Sequence, residues 1–272
     1  MKEILEYLFN HHTLSKSQAK AIMIEIAQNK FNTTEVTAFI TIFLMRNITL
    51  PELQGFREAL LQMAVPVHID ASDAIDIVGT GGDGKNTINI STLASFIVAG
   101  AGQKVVKHGN YGASTLTGSS NVLEQVGYGF KKTSEELQED LNKANICFLH
   151  APYFHPALQS VGALRKSLGL RTFFNLLGPL VNPARPQFSV IGVYNLEIAR
   201  IYQYLLQKED REFILVHGMD GYDEISRFGH PRWKRGELKF LTSRRANNIF
   251  IKIFGNPILA DFIKPIIDIQ TR

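Results

Sequence analysis

Three stretches of the chain put glycine beside hydroxyl, amide and charged side chains, the residue types that hold anions and hard cations. The first is Gly79-Thr-Gly-Gly-Asp-Gly84, followed by Thr87, Asn89, Ser91 and Thr92. Glycines let successive backbone N–H groups converge on an anion, and a helix start just beyond adds unpaired donors and partial positive charge. Lys85 is not followed by the Walker pattern, so this is not a P-loop. A tight, ordinarily capped turn has the same composition, and the loop alone leaves phosphate binding open. The second stretch is Lys107-His-Gly-Asn-Tyr-Gly112, with Ser114, Thr115, Thr117, Gly118, Ser119 and Ser120 behind it. It is donor-rich with a cation at its root; taken singly, His108 reads as a buried structural histidine. In the third, His217-Gly-Met-Asp-Gly-Tyr-Asp-Glu224, the side chains of Asp220, Asp223 and Glu224 are hard oxygen ligands. Mg²⁺ takes such ligands when it also bridges phosphates, although a solvated acidic turn would look the same. Arg165 is either a surface cation or a fork for a carboxylate.

The elements that must position these loops follow from periodicity and capping. Residues 1 to about 65 read as helices. Ser15 with Gln18 forms a capping box, Asn32 or Thr33 caps a second helix, and Thr49 with Glu52 opens a third, with Pro51 in its first turn. From about residue 73 short apolar runs alternate with helical stretches. Strands are expected at Ile75–Val78, Lys104–Lys107, Ile146–Leu149, Phe188–Val193 and Phe213–Val216, separated by helices near 91–101, 119–126, 133–144 and 196–208. That alternation predicts a mostly parallel sheet flanked by helices, in which ligands bind at the carboxyl ends of the strands. All three chemistry-bearing loops fall at such ends. The expected organisation is a small helical domain, residues 1–68, and a larger α/β domain, residues 73–272. Part of the proline-punctuated stretch 150–186 is expected to pack back on the helices.

Composition narrows the function classes. The chain has 272 residues, is 45% hydrophobic and 20% charged, and carries a net charge of +4, which excludes wholesale disorder. Its single cysteine, Cys147, excludes a disulfide framework and a multi-cysteine zinc site. No apolar run approaches the ~20 residues that span a bilayer, and the first residues lack a signal-peptide core, so a cytoplasmic protein without membrane contact is expected. The positive charge is local: residues 227–245 hold seven Lys and Arg against Glu237 alone, and the first 226 residues are mildly acidic. A nucleic-acid reading is therefore confined to that segment, which also contains Trp233.

The motifs taken together, in order, are more specific than any one of them. They are Gly79-Thr-Gly-Gly-Asp-Gly, Asn89-Ile-Ser-Thr, Lys107-His-Gly-Asn, Gly118-Ser119, His155-Pro with Arg165, Arg171-Thr-Phe-Phe-Asn-Leu-Leu-Gly-Pro-Leu-Val-Asn-Pro183, and His217-Gly through Asp223-Glu224. Over roughly residues 1–226 the chain resembles the anthranilate phosphoribosyltransferases of tryptophan biosynthesis. The resemblance implies a helical domain plus an α/β domain, a homodimer formed through the helical domain, and Mg²⁺-dependent transfer of phosphoribose from phosphoribosyl pyrophosphate to the amine of anthranilate. Carried over by position, it implies that Gly79, Gly82, Asp83, Thr87, Asn89, Ser91, Thr92, Lys107 and Ser119 hold phosphoribosyl pyrophosphate. It assigns Ser91, Asp223 and Glu224 to Mg²⁺, and Asn110 and Arg165 to anthranilate, with Gly79 and His108 nearby. No residue is implied as a general acid or base.

Two departures from the family pattern stand out. Tyr111-Gly-Ala occupies the place where many members have Arg-Ser-Val, which removes a phosphate-facing cation. After Ile225-Ser226 the pattern is lost, and the basic stretch fits a replaced segment or a changed reading frame. Residues 227–272 are thus expected not to reproduce the family's last elements. Ile249, Phe250, Ile253, Phe254, Ile258 and Phe262, or a partner, would then cover the apolar sheet surface left behind. An inactive homologue with an altered C-terminus and a nucleic-acid-binding relative of the same fold remain alternatives at this point. A pyrimidine nucleoside phosphorylase is disfavoured, because its phosphate loop differs from Gly-Thr-Gly-Gly-Asp-Gly.

Overall fold

The structure is a computed structural model that describes residues 1–81, 84, 88–112, 117–218, 221–224 and the backbone of 238–242. The helical part contains α1 (Lys2–Phe9), α2 (Lys16–Ala27), α3 (Thr33–Met45) and α4 (Leu50–Met63). Local chemistry sets their starts. The Ser15 backbone N–H donates to Gln18 Oε1 at 2.9 Å while Gln18 N donates to Ser15 Oγ at 3.3 Å. Asn32 and Glu35 make the same reciprocal pair at the head of α3. Gly55 lets α2 and α4 touch, because a Cβ there would lie 2.3 Å from the Lys16 carbonyl oxygen.

The α/β part alternates β1 (Ala74–Gly79), α5 (Ile90–Gly100), β2 (Lys104–Gly109), α6 (Ser119–Gln125), α7 (Ser134–Ala144) and β3 (Ile146–His150). It continues through α8 (Ala151–Phe154), α9 (Gln159–Leu168), β4 (Phe188–Gly192), α10 (Leu196–Leu206), β5 (Glu212–Gly218) and β6 (Leu238–Thr242). The sheet order is β3-β2-β1-β4-β5-β6. Five strands are parallel, as the alternation predicts, and β6 runs antiparallel to β5, with Ile214 opposite Thr242 and Gly218 opposite Leu238. β6 lies beyond residue 226 and carried no strand expectation. Ile249, Phe250, Ile253, Phe254, Ile258, Phe262 and Trp233 lie outside the described residues. Among the described residues no helix is long and apolar enough to cross a membrane.

The chain moves outward from β1 to β3, then returns to lay β4 on the other side of β1. Loops leaving the carboxyl ends of β1 and β4 therefore diverge and leave a crevice. One apolar core runs from the helices into the sheet, taking in Phe39, Phe56, Phe173, Leu180, Tyr202 and Leu215. Its aromatic centre is Phe173, stacked on Phe56 at 4.6 Å and edge-on to Phe43 at 4.9 Å. Each such pair adds about 1 kcal/mol beyond the area it buries. The two parts thus share buried surface, which holds the loops of one against the other.

Glu52 is the charged anchor of the helical part. It is fully buried, accepts from Arg46 and from the Thr49 and Leu14 backbone N–H groups, and so ties three segments together. Burial pushes its carboxyl pKa up, but the Arg46, Thr49 and Leu14 hydrogen bonds outweigh burial and hold it below the usual carboxylate range. A carboxylate with a depressed folded pKa stabilises the fold above its unfolded pKa and loses that contribution as pH falls through the folded one. Glu52→Ala should cost about 3 kcal/mol in urea unfolding at pH 7. The difference between wild type and variant should shrink as the pH is lowered through the acid range.

Candidate functional site

The floor of the crevice is bare backbone. A Cβ on Gly192 would lie 1.8 Å from the Asp223 carbonyl oxygen, and one on Gly79 would lie 2.9 Å from Asp223 Oδ2. Glycine at 192 admits the Asp223 backbone between β1 and β4, and at 79 a side chain would press on the Asp223 carboxylate. Gly81, at φ +61°, donates its N–H to Asp223 Oδ2 at 3.0 Å, so the glycine loop and the acidic turn are directly bonded. The Thr80 N–H donates to the Gly192 carbonyl at 2.9 Å and closes the β1–β4 end. Beyond β5, Gly221 turns the chain at φ +87°, and Gly218 N donates to the Tyr222 carbonyl at 2.8 Å. That turn delivers Asp223 and Glu224 back over the strands.

On one side of this floor stands the start of α5. Asn89 caps it, accepting the Thr92 N–H at 3.4 Å, the Ile90 N–H donates to the Ile88 carbonyl at 2.8 Å, and the positive end of the helix lies at the crevice. Lys107, 2% exposed, reaches from β2 beneath this turn, donates to the Ile77 carbonyl, and lies 3.5 Å from Ser91 Oγ. Burial pulls its pKa down to about 8, against the opposing pull of the Asp76 and Glu224 charges. Lys107, Ser91 and Glu224 thus share one electrostatic neighbourhood. Thr80 Oγ1 and Thr92 Oγ1 are buried without protein hydrogen-bond partners. Ser119 starts α6 and donates to the Asn110 carbonyl at 3.4 Å. Gly82, Asp83 and Thr87, together with Lys85, Ser114, Thr115 and Asp220, lie outside the described residues.

The other side carries imidazole, amide and guanidinium groups. His108 Nδ1 is 3.2 Å from the Gly178 carbonyl, which assigns the proton to Nδ1 and leaves the buried Nε2, which has no protein partner, as an acceptor. Its ring is edge-on to His155 at 5.2 Å, and His155 Nε2 is 2.7 Å from the Val181 carbonyl. Burial first, then the neighbouring His155, pull the His108 pKa down to about 3. Asn110 follows, exposed, just past the end of β2, its carbonyl accepting from the Ser120 N–H at 3.1 Å and its Oδ1 from the Tyr111 N–H at 2.7 Å. Tyr111 hydrogen-bonds Glu124 through its hydroxyl. Arg165, on α9, is half-buried rather than splayed on the surface, with its guanidinium 5.2 Å from the Phe174 ring centroid. Burial lowers its pKa to about 10, so it stays charged, and among the described residues no carboxylate pairs with it.

The structure brings Gly79, Ser91, Lys107, Asp223 and Glu224 around one crevice and sets His108 and Asn110 at the end of the adjacent strand. One hydroxyl and two carboxylates suit a hard cation that completes its shell with water and phosphate oxygens. No group of three or more His, Cys, Asp or Glu side chains gathers among the described residues, so nothing there resembles an enclosed metal cage. Two buried polar residues were missed from sequence: Asp76, whose carboxylate meets Asn182 Nδ2 at 2.9 Å, and Asn182 itself. A lone acid inside the apolar run Ile75-Asp-Ile-Val78 was the available signal.

Comparison with known proteins gives a consistent picture. Residues 71–240 match the family described as glycosyl transferase family, a/b domain, and residues 2–64 match its helical bundle domain. The anthranilate phosphoribosyltransferase of Flavobacterium johnsoniae is 50% identical over 260 residues, 96% of this chain and 77% of that protein. That of Bacteroides fragilis is 55% identical over 226 residues, 83% of this chain and 68% of its own. Among solved structures, anthranilate phosphoribosyltransferase from Thermus thermophilus superposes with a TM-score of 0.76 at 31% identity, over 89% of this chain and 70% of that one. The Saccharomyces cerevisiae enzyme in complex with PRPP and Mg gives 0.72 at 29% identity, over 79% and 64% of the two chains.

The neutral imidazoles have a measurable consequence. A histidine whose folded pKa lies below its unfolded value makes the unfolded chain the better proton acceptor between the two. Its stabilising effect is complete above the unfolded pKa and declines as pH falls toward the folded one. Urea-unfolding free energies should therefore fall as pH drops from 7 to 5. His108→Gln should remove one proton's share of that slope, ~1.4 kcal/mol per pH unit at most.

Proposed function

Because this chain belongs to the anthranilate phosphoribosyltransferase family, we propose that it transfers the phosphoribosyl group of phosphoribosyl pyrophosphate to the amine of anthranilate in tryptophan biosynthesis. The products are N-(5-phosphoribosyl)anthranilate and diphosphate. The observation that carries this reading is the crevice at the β1–β4 switch. Its glycine floor, α5 start and buried Lys107 suit a diphosphate, and an acidic pair stands opposite them. In this reading Gly79, Gly82, Asp83, Thr87, Asn89, Ser91, Thr92, Lys107 and Ser119 bind phosphoribosyl pyrophosphate. Ser91, Asp223 and Glu224 are the residues assigned to Mg²⁺, which when bound offsets charge on the departing diphosphate.

The reaction needs positioning more than proton transfer. The bond from ribosyl C1 to the diphosphate oxygen breaks with its electron pair leaving on oxygen, and the anthranilate nitrogen lone pair forms the new bond to C1. Lys107 and the positive end of α5 meet the growing negative charge from fixed positions, which costs no reorganisation as the bond breaks. Arg165 forks the anthranilate carboxylate, and Asn110 aligns the ring so that the amine faces C1. His108, neutral with Nε2 as acceptor, sits beside the amine without being required as its base; the amine proton passes to solvent or to diphosphate.

The assembly and setting belong to the same proposal. In this reading residues 1–68 are the helical domain, with part of 150–186 packed back on it, 73–272 are the α/β domain, atypical from 227, and two copies pair through the helical domain. Exposed Phe9, Leu44 and Met45 supply apolar surface there. The enzyme is cytoplasmic, with no membrane or nucleic-acid partner.

Anthranilate fluorescence tests the reading directly. Purified protein with phosphoribosyl pyrophosphate and Mg²⁺ should extinguish the signal, and a chelator should stop the loss. A folded protein that leaves the fluorescence unchanged would refute the activity. Arg165→Ala should raise the anthranilate KM by about tenfold or more while moving the phosphoribosyl pyrophosphate KM less than about threefold. Glu224→Gln should instead raise the Mg²⁺ concentration needed for half-maximal rate.

A further inference from the structure

β1 and β2 are neighbours that part company at the site. Their ladder pairs Ala74 with Lys104 and Ile75 with Val105 and goes no further. On the outer sides the same strands stay paired to their ends, Gly79 with Gly192 and Gly109 with His150. A wedge therefore opens between β1 and β2 where Lys107, His108 and the following Asn110 enter the crevice. Backbone groups freed by such a split must find other partners, because a buried unpaired N–H or C=O is costly.

Side chains take over the ladder's work. Asn182 Nδ2 donates to the Val106 carbonyl at 2.9 Å and to Asp76 Oδ2 at 2.9 Å. Asp76 Oδ1 accepts the His108 N–H at 3.4 Å, and Lys107 Nζ donates to the Ile77 carbonyl. Asn182 Oδ1 accepts the Ala184 N–H at 3.1 Å, so its amide orientation is set from both ends. Asp76 and Asn182 are both buried. Asn182 also closes the Gly178–Asn182 segment, whose carbonyls receive His108 at Gly178, His155 at Val181 and, from the helical part, Arg57 Nε at Leu180, 2.8 Å away.

We propose that Asp76 and Asn182 are positioning residues for the acceptor: their buried hydrogen-bonded pair holds the β1–β2 wedge open and fixes the His108–Asn110 strand end against the Gly178–Asn182 segment. The inference rests on the assignment of anthranilate to Asn110 and Arg165. The pair touches neither substrate. It sets the distance between the α/β wall of the acceptor pocket and the wall tied to α4, and a shift of about 1 Å there can cost on the order of 100-fold in rate.

The test compares Asn182→Leu, Asp76→Asn and the D76N/N182D exchange by steady-state kinetics and thermal melting in the full chain. Asn182→Leu removes both donors at similar volume. Asp76→Asn alters no volume but sets two amide donors against each other. The exchange restores one donor–acceptor pair while leaving Val106 without its partner. We expect each single variant to raise the anthranilate KM about tenfold; in Asn182→Leu the phosphoribosyl pyrophosphate KM should stay within about threefold of wild type, whereas Asp76→Asn also removes a charge that acts on Lys107 and should raise it further. The exchange should recover part of that loss. An unchanged anthranilate KM in folded variants, equal rises in both KM values in Asn182→Leu, or an exchange worse than either single variant would overturn the proposal. If Asn182→Leu does not fold, the anthranilate KM of the isosteric Asp76→Asn and of the exchange decides. An inactive wild type would instead refute the functional reading on which the pair's role rests.

Discussion

The Asp223 segment rests on two glycines that end neighbouring strands, and much of the site is arranged around that contact. A side chain at Gly192 would overlap the Asp223 carbonyl, so the acidic turn reaches the strand ends only because nothing projects from them. The contact is sealed by the bond from Gly81 N to the Asp223 carboxylate, across 142 residues of chain. Everything that would face a diphosphate then falls into place around it. The glycine loop, the capped start of α5 and Lys107 approach from one side, and Glu224 completes the opposite charge.

That arrangement demands rigidity from elements remote from the crevice. The apolar core is continuous from the helices to the sheet, with Phe173 between the Phe43 and Phe56 rings of one part and the chain leading to Leu180 in the other. Polar ties run the same way, through Arg57 to the Leu180 carbonyl and through Asn182 to β1 and β2. Buried polar groups of this kind specify a single geometry when every member is satisfied. Burial also sets protonation: His108 stays neutral because it is desolvated, and Arg165 stays charged despite burial because its intrinsic pKa is so high.

Much of the fold was legible because its signals are local. Ser15 with Gln18 and Thr49 with Glu52 are capping pairs three residues apart, and their hydrogen bonds form between near neighbours in the chain. Alternation of apolar runs with helical stretches implied a parallel sheet, because parallel neighbours need a crossover and helices supply it. β6 escaped, since its pairing depends on where β5 leaves an edge rather than on anything in Leu238–Thr242 alone. Arg165 escaped in part: its sequence neighbourhood is that of a surface helix, and the packed structure leaves it half-buried with its guanidinium over the Phe174 ring.

The amino-acid sequence by itself determined which residue types stand at the strand ends, the helix starts and the parallel character of the sheet, because these follow from spacing and from contacts within a few residues. The tertiary structure alone decided that the switch falls between β1 and β4, that β1 and β2 separate beyond Ile75 and Val105, and that Asp76 meets Asn182 across 106 residues. No local pattern encodes those facts. They arise where backbone groups released by one split strand pair must be satisfied by whichever distant side chain the packed core brings within hydrogen-bond reach.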